Sequence, residues 1–181
     1  MKFQQSNGGH YSLRSGMTIY PSQDKLISET LTDLKQKLPA HLIVLVDVTG
    51  QVVSAQGDKN NIDLVSLGSL IAGDLAASQE IARLTGQYQD NQLVLREGQN
   101  FHTFIIEAGI HLALLVQVAD SVPLGWGRML TVKAAHRLAE IAEQQPKEIE
   151  KSKSTQETEE MLGQEALSDL FTDALDDLWM E

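Results

Sequence analysis

A chain of 181 residues with 42% hydrophobic content has room for one domain plus appendages and enough apolar side chains for a core. Its 14 basic and 25 acidic residues leave a net charge of −11, and no basic stripe offsets it, which excludes nucleic acid and anionic membrane as expected partners. The absence of cysteine removes disulfides and thiolate metal sites, and it fits a reducing compartment.

The charge is uneven. From Gln144 to Glu181 there are three lysines and eleven acids, so eight of the eleven net negative charges lie there and the rest of the chain is nearly neutral. The N-terminus lacks the apolar stretch of a signal peptide, and no apolar run approaches the ~20 residues that cross a membrane, so a cytoplasmic chain without membrane insertion is expected.

Residues 1–17, with Gly8-Gly9 and Gly16 among polar neighbours, read as a mobile arm. Ser22 to Leu38 reads as a helix capped by Ser22, with Leu26, Ile27, Leu31, Leu34 and Leu38 on one stripe; Pro39 ends it. Leu42 to Val48 and Gln51 to Gln56 alternate around Thr49-Gly50 as a hairpin. Asn60-Asn61 is expected to cap a helix from about Ile62 to Thr85, with Gly86 in the left-handed position after it.

That central helix carries Gly68, Ala72, Gly73, Ala76 and Ala77. A helical glycine costs about 1 kcal/mol against alanine, so a close approach by another backbone is expected to offset it. Two readings follow for the ridge Gly68/Ala72/Ala76: packing on the chain's own sheet, or a helix pair across a dimer.

Gln92 to Glu97 reads as a third strand, followed by a turn at Gly98-Gln99-Asn100. Phe101 to Glu107 and Ile110 to Val118 form a further hairpin around Ala108-Gly109, with Glu107 taken as facing Ile110. Both faces of these strands are largely apolar, so helices should cover both. The last domain helix starts at Val122-Pro123-Leu124 and runs to about Glu143, burying Leu130, Ala134, Leu138 and Ile141.

Residues 18–143 are therefore expected to form the domain. Residues 144–162 have the composition of a charged linker, and 163–181 read as an acidic amphipathic helix. In that helix Leu167, Leu170, Phe171, Leu175 and Leu178 recur at helical spacing with Trp179 beside them, as a partner-binding tail or as a segment docked on its own domain.

Signals for chemistry are weak. His102 and His111 share a strand face in this register but stand about 13 Å apart, too far for one metal. Gly125-Trp126-Gly127-Arg128-Met129-Leu130 begins like a dinucleotide loop, but Leu130 replaces the third glycine and a proline rather than a strand precedes it. There is no phosphate-binding Gly-x-x-x-x-Gly-Lys-Ser/Thr loop and no Gly-x-Ser-x-Gly. Asp47 is expected to accept hydrogen bonds from the turn that follows it. No catalytic, cofactor-binding or metal-binding residue is assigned, and an enzyme is not expected.

The run Leu45-Val46-Asp47-Val48-Thr49-Gly50-Gln51-Val52-Val53, followed by a small-residue helix, three strands and an amphipathic helix, resembles the roadblock/LC7 family over roughly residues 24–143. The resemblance implies an α/β (α+β), profilin-like fold: a five-stranded antiparallel sheet, the central helix on one face and the terminal helices on the other. It implies a homodimer in which central helices pair and the third strands, here with Leu93 and Leu95, join the two sheets. It also implies a scaffold or regulator of Ras-like small GTPases, the bacterial polarity-type members being GTPase-activating. The N-terminal arm and acidic tail depart from the family core. The alternatives are a ligand-sensing domain of profilin or PAS shape, and a structural adaptor gathering partners through the tail.

Overall fold

The computed structural model describes residues 10–87 and 93–144. The chain divides into two units, Met1–Glu143 and Gln144–Glu181, and every described helix and strand lies in the first. The expected linker beyond Gln144 and the tail residues Leu167, Leu170, Phe171, Leu175, Leu178 and Trp179 lie outside the described residues.

In chain order the elements are β1 (Tyr11–Ser12), β2 (Thr18–Ile19), α1 (Pro21–Lys37), β3 (Ala40–Asp47), β4 (Val52–Gly57), α2 (Leu64–Leu84), β5 (Leu93–Glu97), β6 (Phe101–Ala108), β7 (Leu112–Ala119) and α3 (Leu124–Glu143). β3 to β7 form one antiparallel sheet in the order β4-β3-β7-β6-β5. Its strands are apolar on both faces, and helices cover both. Ile43, Leu45, Phe104, Ile106, Leu114 and Val116 pack with α1 and α3 residues such as Leu31 and Leu138. Leu42, Val44, Ile105 and Leu115 pack with Ile71 and Leu75 of α2. This is the five-stranded α/β arrangement that the family resemblance implies.

Local chemistry moves two boundaries. α1 begins at Pro21 rather than after a Ser22 cap, because the fixed φ of proline suits the first helical position. Gln23 then accepts from the Tyr20 amide (3.1 Å) and donates to the Ile141 carbonyl (2.9 Å), which fastens α1 to the end of α3. α2 is capped by Asp63, whose carboxylate accepts from the Val65 and Ser66 amides, and not by Asn60-Asn61. Gly86 has φ +69°, as a helix C-terminal position requires.

The β6–β7 register is also corrected. Glu107 faces Ala113 and Ala108 faces Leu112, so the connection is the three residues Gly109–His111 rather than a turn at Ala108-Gly109. This change reverses which sides match: Phe104, Ile106 and Ala108 share a face with Leu112, Leu114 and Val116.

The expected mobile arm is corrected over residues 10–17. β1 and β2 form a small hairpin whose Leu13 and Met17 are buried in the core under α1 and α3. Its tip is held by polar contacts to the β3–β4 turn: the Arg14 amide donates to Gln51 Oε1 (2.8 Å) and the Ser15 amide to Asp47 Oδ2 (3.1 Å). Tyr11 Oη donates to Asp24 on α1 (3.0 Å).

Candidate interaction surface

Asp47 behaves as a structural anchor. It is fully buried at the end of β3. Oδ1 accepts from the Thr49 amide (2.9 Å), Thr49 Oγ1 (2.7 Å) and the Gln51 amide (2.8 Å), while Oδ2 takes the Ser15 amide. Burial alone would push its carboxyl up. The hydrogen bonds from Thr49, Gln51 and Ser15 outweigh that and hold it below the usual carboxylate range. A lowered native value means stability that is complete above the unfolded value of about 4 and is lost as pH falls through the native one. Asp47→Asn should therefore cost about 1–3 kcal/mol at neutral pH and flatten the acid limb of the stability profile below about pH 4. Urea titrations at a series of pH values check this; an unchanged acid limb in Asp47→Asn would refute it.

Of the histidines, His102 buries its Nδ1 without a hydrogen-bond partner among the described residues. His41 stacks on Phe101 with ring centroids 4.6 Å apart. No cluster of three metal-ligating side chains occurs among the described residues. The glycines of the Gly125-Trp126-Gly127 stretch are helical. Gly127 is small because a Cβ there would stand 2.8 Å from the Phe104 ring.

The small-residue set of α2 divides in two. Gly68 is buried, and a Cβ on it would sit 2.3 Å from the carbonyl oxygen of Gly50 in the β3–β4 turn. Its backbone partner is thus within its own chain. Ala72 is half-buried beside the same end of the sheet, in a groove it shares with Val48, Leu75 and Ile110. Gly73, Ala76 and Ala77 face outward.

With them stand three large apolar side chains that the sequence reading did not single out: Leu70, Ile81 and Leu84, exposed by 70%, 62% and 72%. Leu70, Gly73, Ala77, Ile81 and Leu84 follow one another at steps of three and four, so they form a single stripe opposite the buried face of Gly68, Ile71, Leu75 and Ala82. The signal was available: an apolar stripe on each side of one helix means that both sides have partners.

β5 lies beside this helix at the edge of the sheet, hydrogen-bonded to β6 on one side only among the described residues. Leu93 and Leu95 point to the α1/α3 side with Phe104 and Ile106, Leu93 half-buried and Leu95 partly exposed. Arg96 points the other way and grips Asp74 of α2 through both oxygens, at 2.7 and 2.5 Å. This bidentate pair fixes β5 and α2 to each other. An apolar helix stripe and an open strand edge therefore share one side of the molecule, and both are groups that ordinarily acquire a partner.

No family model matches the sequence, and no curated protein matches it. Solved structures do. Myxococcus xanthus MglB superposes with a TM-score of 0.59 at 33% identity, covering 64% of this chain and 93% of that one. A structure described as MglB with tetrameric arrangement gives 0.64 at 27% identity, covering 70% and 95%. A roadblock/LC7 domain from Streptomyces avermitilis gives 0.52 at 20% identity, covering 62% and 90%, a likeness of fold alone. With one relative a third identical over nearly its whole length, and the sheet and helices arranged as the sequence resemblance requires, the chain belongs to the roadblock/LC7 family.

Proposed function

We propose that this protein is a non-enzymatic, cytoplasmic homodimer that regulates or scaffolds a Ras-like small GTPase, with stimulation of GTP hydrolysis as its finer role. The observation that carries the reading is the exposed stripe Leu70/Gly73/Ala77/Ile81/Leu84 beside the open edge of β5, on a fold whose relatives include self-assembling MglB. No described helix is long and apolar enough to cross a membrane, and an exposed apolar stripe of this kind ordinarily marks a contact with a partner.

A regulator of this kind needs no phosphate loop of its own, since the GTPase carries one. It acts by binding one arrangement of the partner's mobile switch segments more tightly than the others, and it shifts that equilibrium by its differential affinity. A rigid two-fold surface suits this task better than a flexible one, because binding energy is not consumed in ordering the regulator.

Measuring GTP hydrolysis by the organism's own small GTPases, with and without the purified chain, tests the proposal. Stoichiometric chain should raise the turnover of one of them at least tenfold, and Ala77→Arg should remove the effect. Failure of every small GTPase to bind the chain in calorimetry would refute it.

A second reading, ligand sensing, has one observation in its favour. A groove of about 660 Å³ runs between α2 and the sheet, lined by Leu42, Leu70, Ile71 and Ile105. Its charged groups, Asp74 and Arg96, already satisfy each other, which favours the protein-binding reading. The structural-adaptor reading rests on the acidic tail, outside the described residues.

A further inference from the structure

We propose that the exposed face of α3 is a docking surface for an acidic amphipathic helix of a partner protein. It lies on the opposite side of the sheet from α2, and it does not depend on the GTPase reading.

α3 buries Gly127, Thr131, Ala134, Ala135, Leu138 and Ile141. Its opposite face carries Trp126, Met129, Lys133, His136 and Arg137, again at steps of three and four. Trp126 is 51% exposed and Met129 61%. Tryptophan contributes strongly when an interface buries it, and methionine adapts to varied partner shapes.

The charge on this face is opposite to that of the chain. Between Ser121 and Ala139 there is no acid, while Arg128, Lys133 and Arg137 are cationic. Arg128 and Lys133 have no ion pair among the described residues, and Arg137 meets only Glu140, one turn further on, at 2.9 Å across exposed surface. A pair so exposed contributes little and leaves the local potential positive. The positive end of the helix dipole adds to it around Trp126 and Arg128.

The relief also fits a helix. Lys133 and Arg137 form a ridge with a groove on each side. One is a shallow trough of about 490 Å³ bounded by Met129, Val132 and His136; the other, of about 300 Å³, runs between α1 and α3 over Leu26 and Leu130, and Glu29 and Asp33 on its α1 side make its charge mixed. An amphipathic helix laid along the first trough would cover Met129 with its apolar side and present carboxylates to the ridge, away from the acids of α1. Three cations are too few for a duplex. The net charge of −11 disfavours an anionic bilayer at long range, and the vesicle arm of the test decides the short-range case.

The test uses the full-length chain with Trp179→Phe, so that Trp126 is the only tryptophan. The probe is a synthetic amphipathic peptide of about 18 residues with leucines on one face and aspartate and glutamate on the other. Saturable binding with a blue shift of Trp126 emission, weakened at least tenfold by Lys133→Glu with Arg137→Glu and at least fivefold by raising salt from 50 to 500 mM, is the expected result. Both substitutions are at exposed positions, and circular dichroism with an unchanged melting temperature controls for folding. The proposal is overturned by no binding at 200 µM peptide, by equal binding of the same peptide with lysines in place of the acids, or by binding that the double substitution leaves unchanged. A blue shift on phosphatidylserine vesicles without one on the peptide would also overturn it and assign the face to a membrane.

Discussion

Gly68→Ala is expected to lower the melting temperature of this protein sharply, while Gly73→Ala, five residues further along the same helix, leaves the packing within the single chain undisturbed. The difference is one of neighbours. A methyl group on Gly68 would stand 2.3 Å from the Gly50 carbonyl oxygen and 3.3 Å from a Val52 methyl, whereas one on Gly73 meets nothing within 4 Å. The Gly50 carbonyl cannot step aside as a side chain could. Gly50 itself holds φ +84° and a Cβ on it would stand 2.7 Å from the Ser69 Cα, so turn and helix are locked together by two glycines face to face. Relief requires α2 to lift from the β3–β4 turn, exposing Val46 and Leu75 of the smaller core. Overpacking of this kind costs about 1–3 kcal/mol and sometimes more, and the helix propensity of alanine returns about 1. A net loss of about 2 kcal/mol corresponds to roughly 4–8 °C. At Gly73 the only effect within the single chain is the propensity gain, set against whatever the added methyl meets across the proposed helix pair. Calorimetry of the two variants side by side decides it; a Gly68→Ala protein that melts with the wild type would show that the turn and helix are not in contact.

The same pair of glycines shows how much the sequence could say. Their cost in a helix was legible, and so was the expectation that a backbone must come close to offset it. Five residues at 100° each place Gly68 and Gly73 about 140° apart around the helix, so one contact could not explain both. The backbone that meets Gly68 comes from a turn some eighteen positions earlier, and spacing along one helix carries no information about it. Strand and helix order was legible because alternation and the three-to-four step survive in Leu42–Val48, Phe101–Glu107 and the α3 stripe. The β6–β7 register was not. A two-residue and a three-residue connection through Gly109 are equally allowed by composition, and only the packing of Phe104, Ile106 and Leu114 under α1 and α3 chooses between them. The N-terminal hairpin was missed for a similar reason. Leu13 and Met17 stand singly among polar residues, and the tip between them is held by the distant carboxylate of Asp47 and the side chain of Gln51, which accept from the Ser15 and Arg14 amides. For the interaction surface, Gly73, Ala76 and Ala77 were legible as small residues. Leu70, Ile81 and Leu84 were passed over because large apolar residues in a helix are ordinarily core, and only the fold shows them on the outside.

Ala77→Arg is expected to convert the proposed dimer into a monomer, with a weakening of self-association by more than a hundredfold. Ala77 lies at the middle of the stripe from Leu70 to Leu84 and is exposed in the single chain, so the substitution does not disturb the core. In a helix pair across a dimer it would face its own copy or the copy's Gly73. Small residues there let the helices approach closely, and a guanidinium would be buried without a counter-ion, twice per dimer. Breaking into an interface with an unpaired charge costs several kcal/mol, well over the ~2.7 kcal/mol that a hundredfold change represents. Ala72→Arg, on the half-buried flank beside Val48 and Leu75, should instead damage the fold before it touches self-association. The two variants thus separate an outward interface from inward packing on one helix. Sedimentation equilibrium between 1 and 100 µM reads the outcome directly. A wild-type chain that is monomeric throughout that range, or an Ala77→Arg chain that dimerises as tightly as wild type, would remove α2 from the interface and leave the open edge of β5 to account for any self-association on its own.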